Sequence, residues 1–152
     1  WAKLATNSMS NAIAGITGFK SAELRENGEI RALSVRIVVE LVHVATALGV
    51  SMEPIGGIPA SMFLEALDDG EKMEEVEGRM VEAGRAVGTG RPSLAQDVMK
   101  GRKTEVNHLN GYVAKRGEEV GVPTPLNRAL VEVTKRVENG ELQPSLANLK
   151  YL

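Results

Sequence analysis

The chain has 152 residues, of which 43% are hydrophobic and 25% are charged, a composition typical of one folded domain and not of a disordered chain. The 18 Lys and Arg residues nearly balance the 20 Asp and Glu residues, and aromatic residues make up only 3%, so we expect no nucleic-acid interface. The sequence contains no cysteine and two histidines, which excludes disulfides, thiolate zinc sites and polyhistidine metal clusters.

No stretch approaches the roughly 18 apolar residues that a membrane-spanning helix needs, and no basic stretch leads into an apolar one as in a signal peptide. We therefore expect a cytoplasmic protein that binds no membrane. The predicted elements are all helices, and we find no convincing strand pair and no internal repeat. In chain order they cover residues 2–16, 22–26, 29–48, 60–67, 71–87, 93 to about 101, about 104–120 and 125–138, with a loop over 50–59 and an irregular tail over 141–152.

The helix over 29–48 is the strongest of these predictions. Apolar residues recur in it every three or four positions, and most of the remaining positions are also apolar. A helix that is apolar nearly all round is typically buried on most sides, so we expect it at the centre of the domain. His43 lies in this helix and is predicted to be a buried, hydrogen-bonded structural residue, whereas His108 is predicted to be an exposed helical residue.

Polar residues form one stripe on the first predicted helix. Lys3, Asn7 and Asn11 follow one another at intervals of four, and a step of four residues drifts only about 40° around a helix. Met9 and Ile13 lie on roughly the opposite side. An ammonium beside two carboxamides, which both donate and accept hydrogen bonds, suits a small ligand rich in oxygen atoms. The structural alternative is that all three are surface or helix-end residues.

A second group of polar residues lies between positions 93 and 105. Ser93, with Gln96 three residues later, is the pattern of a helix capping box. Asp97 is placed in the first turn of this helix, where a carboxylate is favoured by the helix dipole. Glu105 also has a structural alternative, in dipole stabilisation or a salt bridge. Its functional interpretation requires that it meets Lys3, because a lysine beside a carboxylate in a closed cleft can protonate a developing alkoxide.

Three blocks of sequence resemble the C-terminal domain of the ketopantoate reductases (2-dehydropantoate 2-reductases). The opening WAKLATNSMSN is similar to the W-x-K-L-x-x-N-x-x-x-N helix of that family. The run PSLAQDVMKGRKTEVNHLNG is similar to its P-S-M-x-Q-D-x-x-x-G-R-x-T-E-I-D-x-L-N-G segment, and GVPTPLN is similar to its G-V-P-T-P-x-N turn. The order and the spacing of the three blocks agree over essentially the whole chain.

The resemblance implies an all-α, multi-helix bundle around a long central helix, like the C-terminal domain of 6-phosphogluconate dehydrogenase. It implies NADPH-dependent reduction of 2-dehydropantoate to pantoate in pantothenate biosynthesis. In this interpretation Lys3 is the general acid, and Glu105 anchors the substrate and Lys3. Asn7, Asn11 and Ser93 bind the hydroxyl and carboxylate groups of the 2-keto acid, and Asp97 is structural.

The resemblance also implies a domain organisation. Residues 1–152 correspond to a single helical domain for substrate binding and dimerisation, so we expect a homodimer. The family binds NADPH mainly on an N-terminal Rossmann domain, whose strand and G-x-G-x-x-G turn are absent from this sequence. The chain should therefore be inactive alone and should depend on its own N-terminal domain. No metal is implied.

Two positions depart from the pattern of some family members, which have Asn where Ser21 and Gly90 stand here. Both positions are linked to substrate binding in those members, so a homologue that reduces a different 2-keto acid is one alternative. A non-catalytic helical interaction domain is another alternative. It predicts loss of the polar residues, which are all present: Lys3, Asn7, Asn11, Ser93 and Glu105.

Overall fold

The computed structural model describes residues 1–86 and 88–152, and in these residues the elements are helical, as the sequence predicted. A single antiparallel bridge joins Ile55 and Ile58 in the predicted loop. The predicted helix end at Val87 lies outside the described residues. The helices are α1 (Ala2–Ser8), α2 (Asn11–Thr17), α3 (Ser21–Glu26), α4 (Gly28–Ala47), α5 (Ala60–Glu65), α6 (Gly70–Arg85), α7 (Ser93–Met99), α8 (Asn110–Val120), α9 (Pro125–Glu138) and a 3₁₀-helix (Leu146–Tyr151).

Helix α4 is the centre of the bundle, as its apolar sequence predicted. It begins at Gly28, where the side chain of Asn27 accepts a hydrogen bond from the Ile30 amide at 3.0 Å, and it packs against α1, α3, α5, α6, α8 and α9. The prediction for His43 is wrong, because this residue is exposed. Arg36, His43 and Ala47 are all exposed. Their spacings of seven and four residues put them on one narrow face of α4, which none of the described helices covers.

The buried side chains form two clusters, and α4 contributes to both. One cluster joins α4 to α5, α6 and the bridge loop, and Phe63 and Val76 are completely buried in it. The other joins α4 to α2, α7 and α9. In this second cluster α2 and α7 approach closely at Gly15, where an added Cβ atom would lie 2.3 Å from Cδ2 of Leu94. Glycine at this position therefore allows the close approach that places the start of α7 beside α2.

The first predicted helix is not continuous, because it breaks at Met9 and Ser10 into α1 and α2. At the break, side chains donate hydrogen bonds to backbone carbonyls. Ser34 Oγ donates to Met9 O at 3.0 Å, and Asn110 Nδ2 donates to Ser8 O at 3.1 Å. The Ser10 hydroxyl donates to Thr6 O at 3.0 Å. Inserted side chains of this kind are a recognised cause of helix kinks, and here Ser34 and Asn110 come from distant parts of the sequence.

Two further segments differ from the predictions. Helix α8 begins at Asn110 instead of about residue 104, because the backbone amide of Thr104 donates to Glu138 Oε1 at 2.7 Å and residues 105–109 form only a turn. His108 is exposed, as predicted, but lies in this turn and not in a helix. Part of the predicted irregular tail is the 3₁₀-helix, which begins after Ser145, whose side chain accepts a hydrogen bond from the Ala147 amide at 3.2 Å.

Candidate active site

The lysine and the two asparagines of the predicted stripe lie on both sides of the break between α1 and α2. Lys3 is exposed and Asn7 is half-buried, one turn apart on α1. Asn11 is the first residue of α2 and is also half-buried. The prediction placed the stripe on one straight helix, but in the structure it is divided between α1 and α2. The geometry of Asn11 relative to Lys3 is set by the break and by the side chains that hold it.

Ser93 does not cap α7, so the structural alternative for this residue is wrong. The N-cap position belongs to Pro92, no side chain caps this end, and Ser93 is an exposed first residue of the helix. Gln96 instead donates from Nε2 to the carbonyl of Arg91 at 2.9 Å. The prediction for Asp97 also needs correction, since no acidic residue lies in the first turn of α7.

Glu105 is exposed at the start of the turn that leads into α8. Its carbonyl accepts hydrogen bonds from the amides of His108 at 2.8 Å and Leu109 at 3.1 Å, which fixes the turn. Its carboxylate takes part in no ion pair within residues 1–86 and 88–152, and the same holds for the Lys3 ammonium. The structure therefore does not show the contact between Lys3 and Glu105 that the functional interpretation requires.

The segments that carry the predicted residues nevertheless lie against α1 and α2. Helix α7, which begins with Ser93, packs on α2. The turn that begins with Glu105 leads directly to Asn110, and Asn110 is bonded to the last carbonyl of α1. In the part of the chain that the structure describes, the side chains of Lys3, Asn7, Asn11, Ser93 and Glu105 form neither a hydrogen bond nor an ion pair within the protein.

A buried polar network behind this region was not predicted from the sequence. Asn110 Nδ2 donates to Asn127 Oδ1 at 2.9 Å, and Asn127 Nδ2 donates to Glu40 Oε2 at 2.8 Å and to the carbonyl of Ile37 at 3.3 Å. The Glu40 carboxylate also accepts from the backbone amides of Leu126 at 2.8 Å and Asn127 at 3.0 Å. A carboxylate at a helix N-terminus satisfies free amides and favours the helix dipole.

This network connects α4 and α9 to the end of α1 through Asn110. Asn110 and Asn127 are both completely buried, which sequence patterns do not distinguish from surface asparagines at helix N-termini. Asn110 lies in the motif block LNG and Asn127 in the block GVPTPLN. Their positions in these blocks were the only indication in the sequence that the two asparagines have a structural role. Thr124 is the N-cap of α9, but its side chain makes no capping bond. The Glu40 carboxylate instead accepts hydrogen bonds from the backbone amides of Leu126 and Asn127.

A cavity of about 270 Å³ lies next to the break, between α1, α3, α4, α6 and the bridge loop. Thr6, Ser10 and Pro92 line it, and these residues are the sequence neighbours of Asn7, Asn11 and Ser93. The two positions that depart from the family pattern also meet here, because the Ser21 amide donates to the Gly90 carbonyl at 3.0 Å.

Neither a metal centre nor a membrane span emerges from residues 1–86 and 88–152. In these residues no three or more His, Asp or Glu side chains are grouped so that they could bind a metal ion. None of the described helices is both long enough and apolar enough to cross a bilayer.

Comparison with known protein families identifies the family of this chain. The family model described as ketopantoate reductase PanE/ApbA C terminal matches residues 1–138. The chain belongs to the ketopantoate reductase family. The part of the family that it matches is the C-terminal domain, which confirms the resemblance stated above and agrees with the all-α fold of the structure.

Individual relatives agree with this assignment. A 2-dehydropantoate 2-reductase from Pyrobaculum aerophilum is 32% identical over 91% of this chain and 43% of its own length. The crystal structure of a PanE/ApbA family ketopantoate reductase from Ralstonia eutropha JMP134 matches with a TM-score of 0.67 and 30% identity, over 93% of this chain and 41% of that one. The chain thus spans about two-fifths of the length of these relatives.

A D-mandelate dehydrogenase, in a ternary structure with NADH and anilino(oxo)acetate, has the same fold. It superposes with a TM-score of 0.71 over 91% of this chain and 40% of its own, at 23% identity. This likeness shows that the helical fold of this chain also occurs in a dehydrogenase with a different name.

Proposed function

We propose that this chain is the substrate-binding and catalytic domain of a cytoplasmic, NADPH-dependent 2-dehydropantoate 2-reductase, an enzyme of pantothenate biosynthesis. The observation that carries the proposal is the set of polar side chains around the break between α1 and α2. In the described residues, the buried asparagines Asn110, Asn127 and Asn148 each donate through Nδ2 to an acceptor in the protein. The half-buried side chains of Asn7 and Asn11 form no hydrogen bond within these residues, so their amide groups are available to a ligand.

The chemistry of these side chains fits a 2-keto acid. Lys3 is assigned as the proton donor to the ketone oxygen, since an ammonium both stabilises and protonates a developing alkoxide. Asn7, Asn11 and Ser93 supply donors and acceptors for the carboxylate and hydroxyl groups. Glu105 is assigned to hold the substrate and Lys3, which requires the exposed Lys3 side chain to move toward it when the site closes.

The nucleotide belongs to another part of the enzyme in this proposal. A dinucleotide is typically held at a glycine-rich turn between a strand and a helix of a parallel sheet, and residues 1–86 and 88–152 contain no such sheet. The residues present therefore do not fit NADPH by themselves. We assign NADPH to an N-terminal Rossmann domain; when bound there, its nicotinamide would supply the hydride for the reduction.

Homodimer formation through this domain is a further part of the proposal, because the resemblance implies it. Tyr112, which packs against Trp1 with 5.9 Å between ring centroids, is 42% exposed. Exposed aromatic surface of this kind is suited to an interface. Sedimentation of the full-length protein should show a dimer, and a monomer at every concentration would exclude this part of the proposal.

A reductase of a different 2-keto acid is the second candidate, and the D-mandelate dehydrogenase with the same fold favours it. The test is the rate of nicotinamide oxidation by the full-length protein with 2-dehydropantoate, with other 2-keto acids, and with NADPH against NADH. We expect reduction of 2-dehydropantoate with preference for NADPH. Activity on other keto acids alone would replace the substrate assignment. No reduction of any 2-keto acid would favour a non-catalytic interaction domain.

A further inference from the structure

The tail, residues 141–152, follows the part of the chain that the family model matches, which ends at residue 138. Its 3₁₀-helix packs against α2 and α9. Three leucines of the tail are partly buried against the cluster that contains Ile16: Leu142, Leu149 and Leu152. The tail is therefore folded onto α2, although the family match assigns no role to it.

Asn148 is the tail residue whose side chain holds the end of α2. This side chain is buried, and its Nδ2 donates to the Ile16 carbonyl at 2.9 Å and to the Gln143 carbonyl at 2.8 Å. The backbone amide of Ser145 donates to the same Ile16 carbonyl at 2.9 Å. The last four carbonyls of a helix have no partner within that helix. The tail therefore supplies two donors at this end of α2.

The end of α2 is also bonded to the segment that leads into α7. Gly18 directly follows α2, and its carbonyl accepts a hydrogen bond from Arg91 Nη1. Gly18 meets the tail as well, since an added Cβ would lie 3.3 Å from Cβ of Pro144. Arg91 precedes α7 by two residues. One end of α2 thus joins the tail to the segment that introduces Ser93.

Helix α2 is enclosed by its neighbours except at its first residue. Asn11 is half-buried, and the six residues that follow it in the helix are all buried. The helix has seven residues and is therefore about 10 Å long, so it tilts as one unit. A displacement of its C-terminal end is passed to Asn11, which is the one residue of α2 that is not buried.

We propose that Asn148 is a positioning residue of the active site, which fixes the orientation of α2 and thereby the position of the Asn11 amide relative to Ser93. The inference rests on the proposed function, in which Asn11 and Ser93 bind the keto acid. Asn148 itself touches no substrate in this arrangement. Loss of its two hydrogen bonds leaves α2 free to tilt, and a misplacement of about 1 Å can lower a rate by about 10²-fold.

The first test is the steady-state kinetics of Asn148→Ala in the full-length protein, with 2-dehydropantoate and NADPH or with whichever keto acid and nicotinamide support turnover. We expect kcat/KM for the keto acid to fall by about tenfold to a hundredfold, mainly through a rise in KM. The KM for the nucleotide should not change, because the nucleotide is assigned to another domain. Asn139→Ala, at an exposed asparagine after α9, should keep the wild-type values. An unchanged kcat/KM in a folded Asn148→Ala protein would overturn the proposal.

A double-mutant cycle with Asn11 separates positioning from a general loss of stability. If Asn148 acts through Asn11, Asn148→Ala should change kcat/KM by less than about twofold in an Asn11→Ala background. A purely structural effect of the tail gives the same fold-change in both backgrounds, and that result would overturn the proposal.

Hydrogen exchange measured by mass spectrometry provides a readout that does not depend on turnover. Asn148→Ala should speed the exchange of the backbone amides of α2 and leave α5 and α6 unchanged, since those two helices contribute to the other buried cluster. Ser145→Ala removes the acceptor of the Ala147 amide and loosens the 3₁₀-helix, so it keeps the test decisive if Asn148→Ala does not fold. Faster exchange of α2 supports the proposal, and unchanged exchange in the folded variants overturns it.

The two readouts together separate this inference from the proposed function. An active wild type in which the effects of Asn148→Ala and Asn11→Ala are additive refutes the positioning role and leaves the reductase proposal intact. A wild type that reduces no 2-keto acid refutes the reductase proposal, and the exchange of α2 then still decides whether Asn148 holds this helix.

Discussion

Asn127 holds the N-terminus of α9 against α4 and supports the break between α1 and α2, so its replacement should be costly. Asn127→Ala removes a hydrogen bond with Asn110 at 2.9 Å, one with the Ile37 carbonyl at 3.3 Å and one with the Glu40 carboxylate at 2.8 Å. Neutral hydrogen bonds contribute about 1 kcal/mol each and bonds to charged groups about 1.5–3 kcal/mol. We therefore expect the free energy of unfolding to fall by about 3–5 kcal/mol.

The assay is urea unfolding followed by far-ultraviolet circular dichroism, with the slope m required to stay constant so that the change in midpoint reports stability. Asn107→Ala is the matched control, because Asn107 is exposed, and it should change the stability by less than about 0.5 kcal/mol. A loss below about 1 kcal/mol for Asn127→Ala would refute the reasoning, since it would mean that water replaces the network.

Further predictions concern Glu105 and two glycines. Glu105→Ala in the full-length protein should raise KM for the keto acid and lower kcat, whereas Glu118→Ala, at an exposed glutamate of α8, should change neither in steady-state kinetics. Gly15→Ala should destabilise the protein by about 1–3 kcal/mol, because its Cβ would lie 2.3 Å from Cδ2 of Leu94. Gly78→Ala, in α6 with open space around the glycine, should stabilise by up to about 1 kcal/mol; equal urea midpoints for the two glycine variants would contradict the close packing of α2 on α7.

The central helix could be predicted from the sequence because its apolar residues determine burial directly. The same argument failed for His43. A nearly continuous apolar helix still has one face that its neighbours leave open, and periodicity alone does not locate that face. Arg36 lies seven residues before His43 and is also exposed. This charged residue on the same face of the helix was the indication in the sequence that His43 is exposed.

The break in the first helix could not be predicted, because its cause lies far away in the sequence. Local propensity favours one helix over residues 2–16. Ser34 and Asn110 compete for the carbonyls of Met9 and Ser8, and only the tertiary structure brings them there. The position of Asn11 relative to Lys3 therefore follows from long-range contacts that no local pattern contains.

The candidate site residues came from the family resemblance, and the structure adds a separate observation about them. In the described part of the chain, Ser93 makes no capping bond, and the side chains of Asn7 and Asn11 form no hydrogen bond within the protein. Sequence patterns could not separate these side chains from caps or structural asparagines. The cavity was also beyond sequence reasoning, since its walls come from segments between Thr6 and Pro92 that are distant along the chain.

The central claim is that Lys3 protonates the ketone oxygen of a 2-keto acid, and the most direct test is the turnover of Lys3→Ala in the full-length protein. General acid catalysis typically contributes about 10²–10⁴-fold, so kcat should fall by that factor while NADPH binding changes little. Lys135→Ala, at an exposed lysine of α9, should keep the wild-type rate. Near-normal turnover of a correctly folded Lys3→Ala protein would contradict the claim and would leave Lys3 as a surface residue.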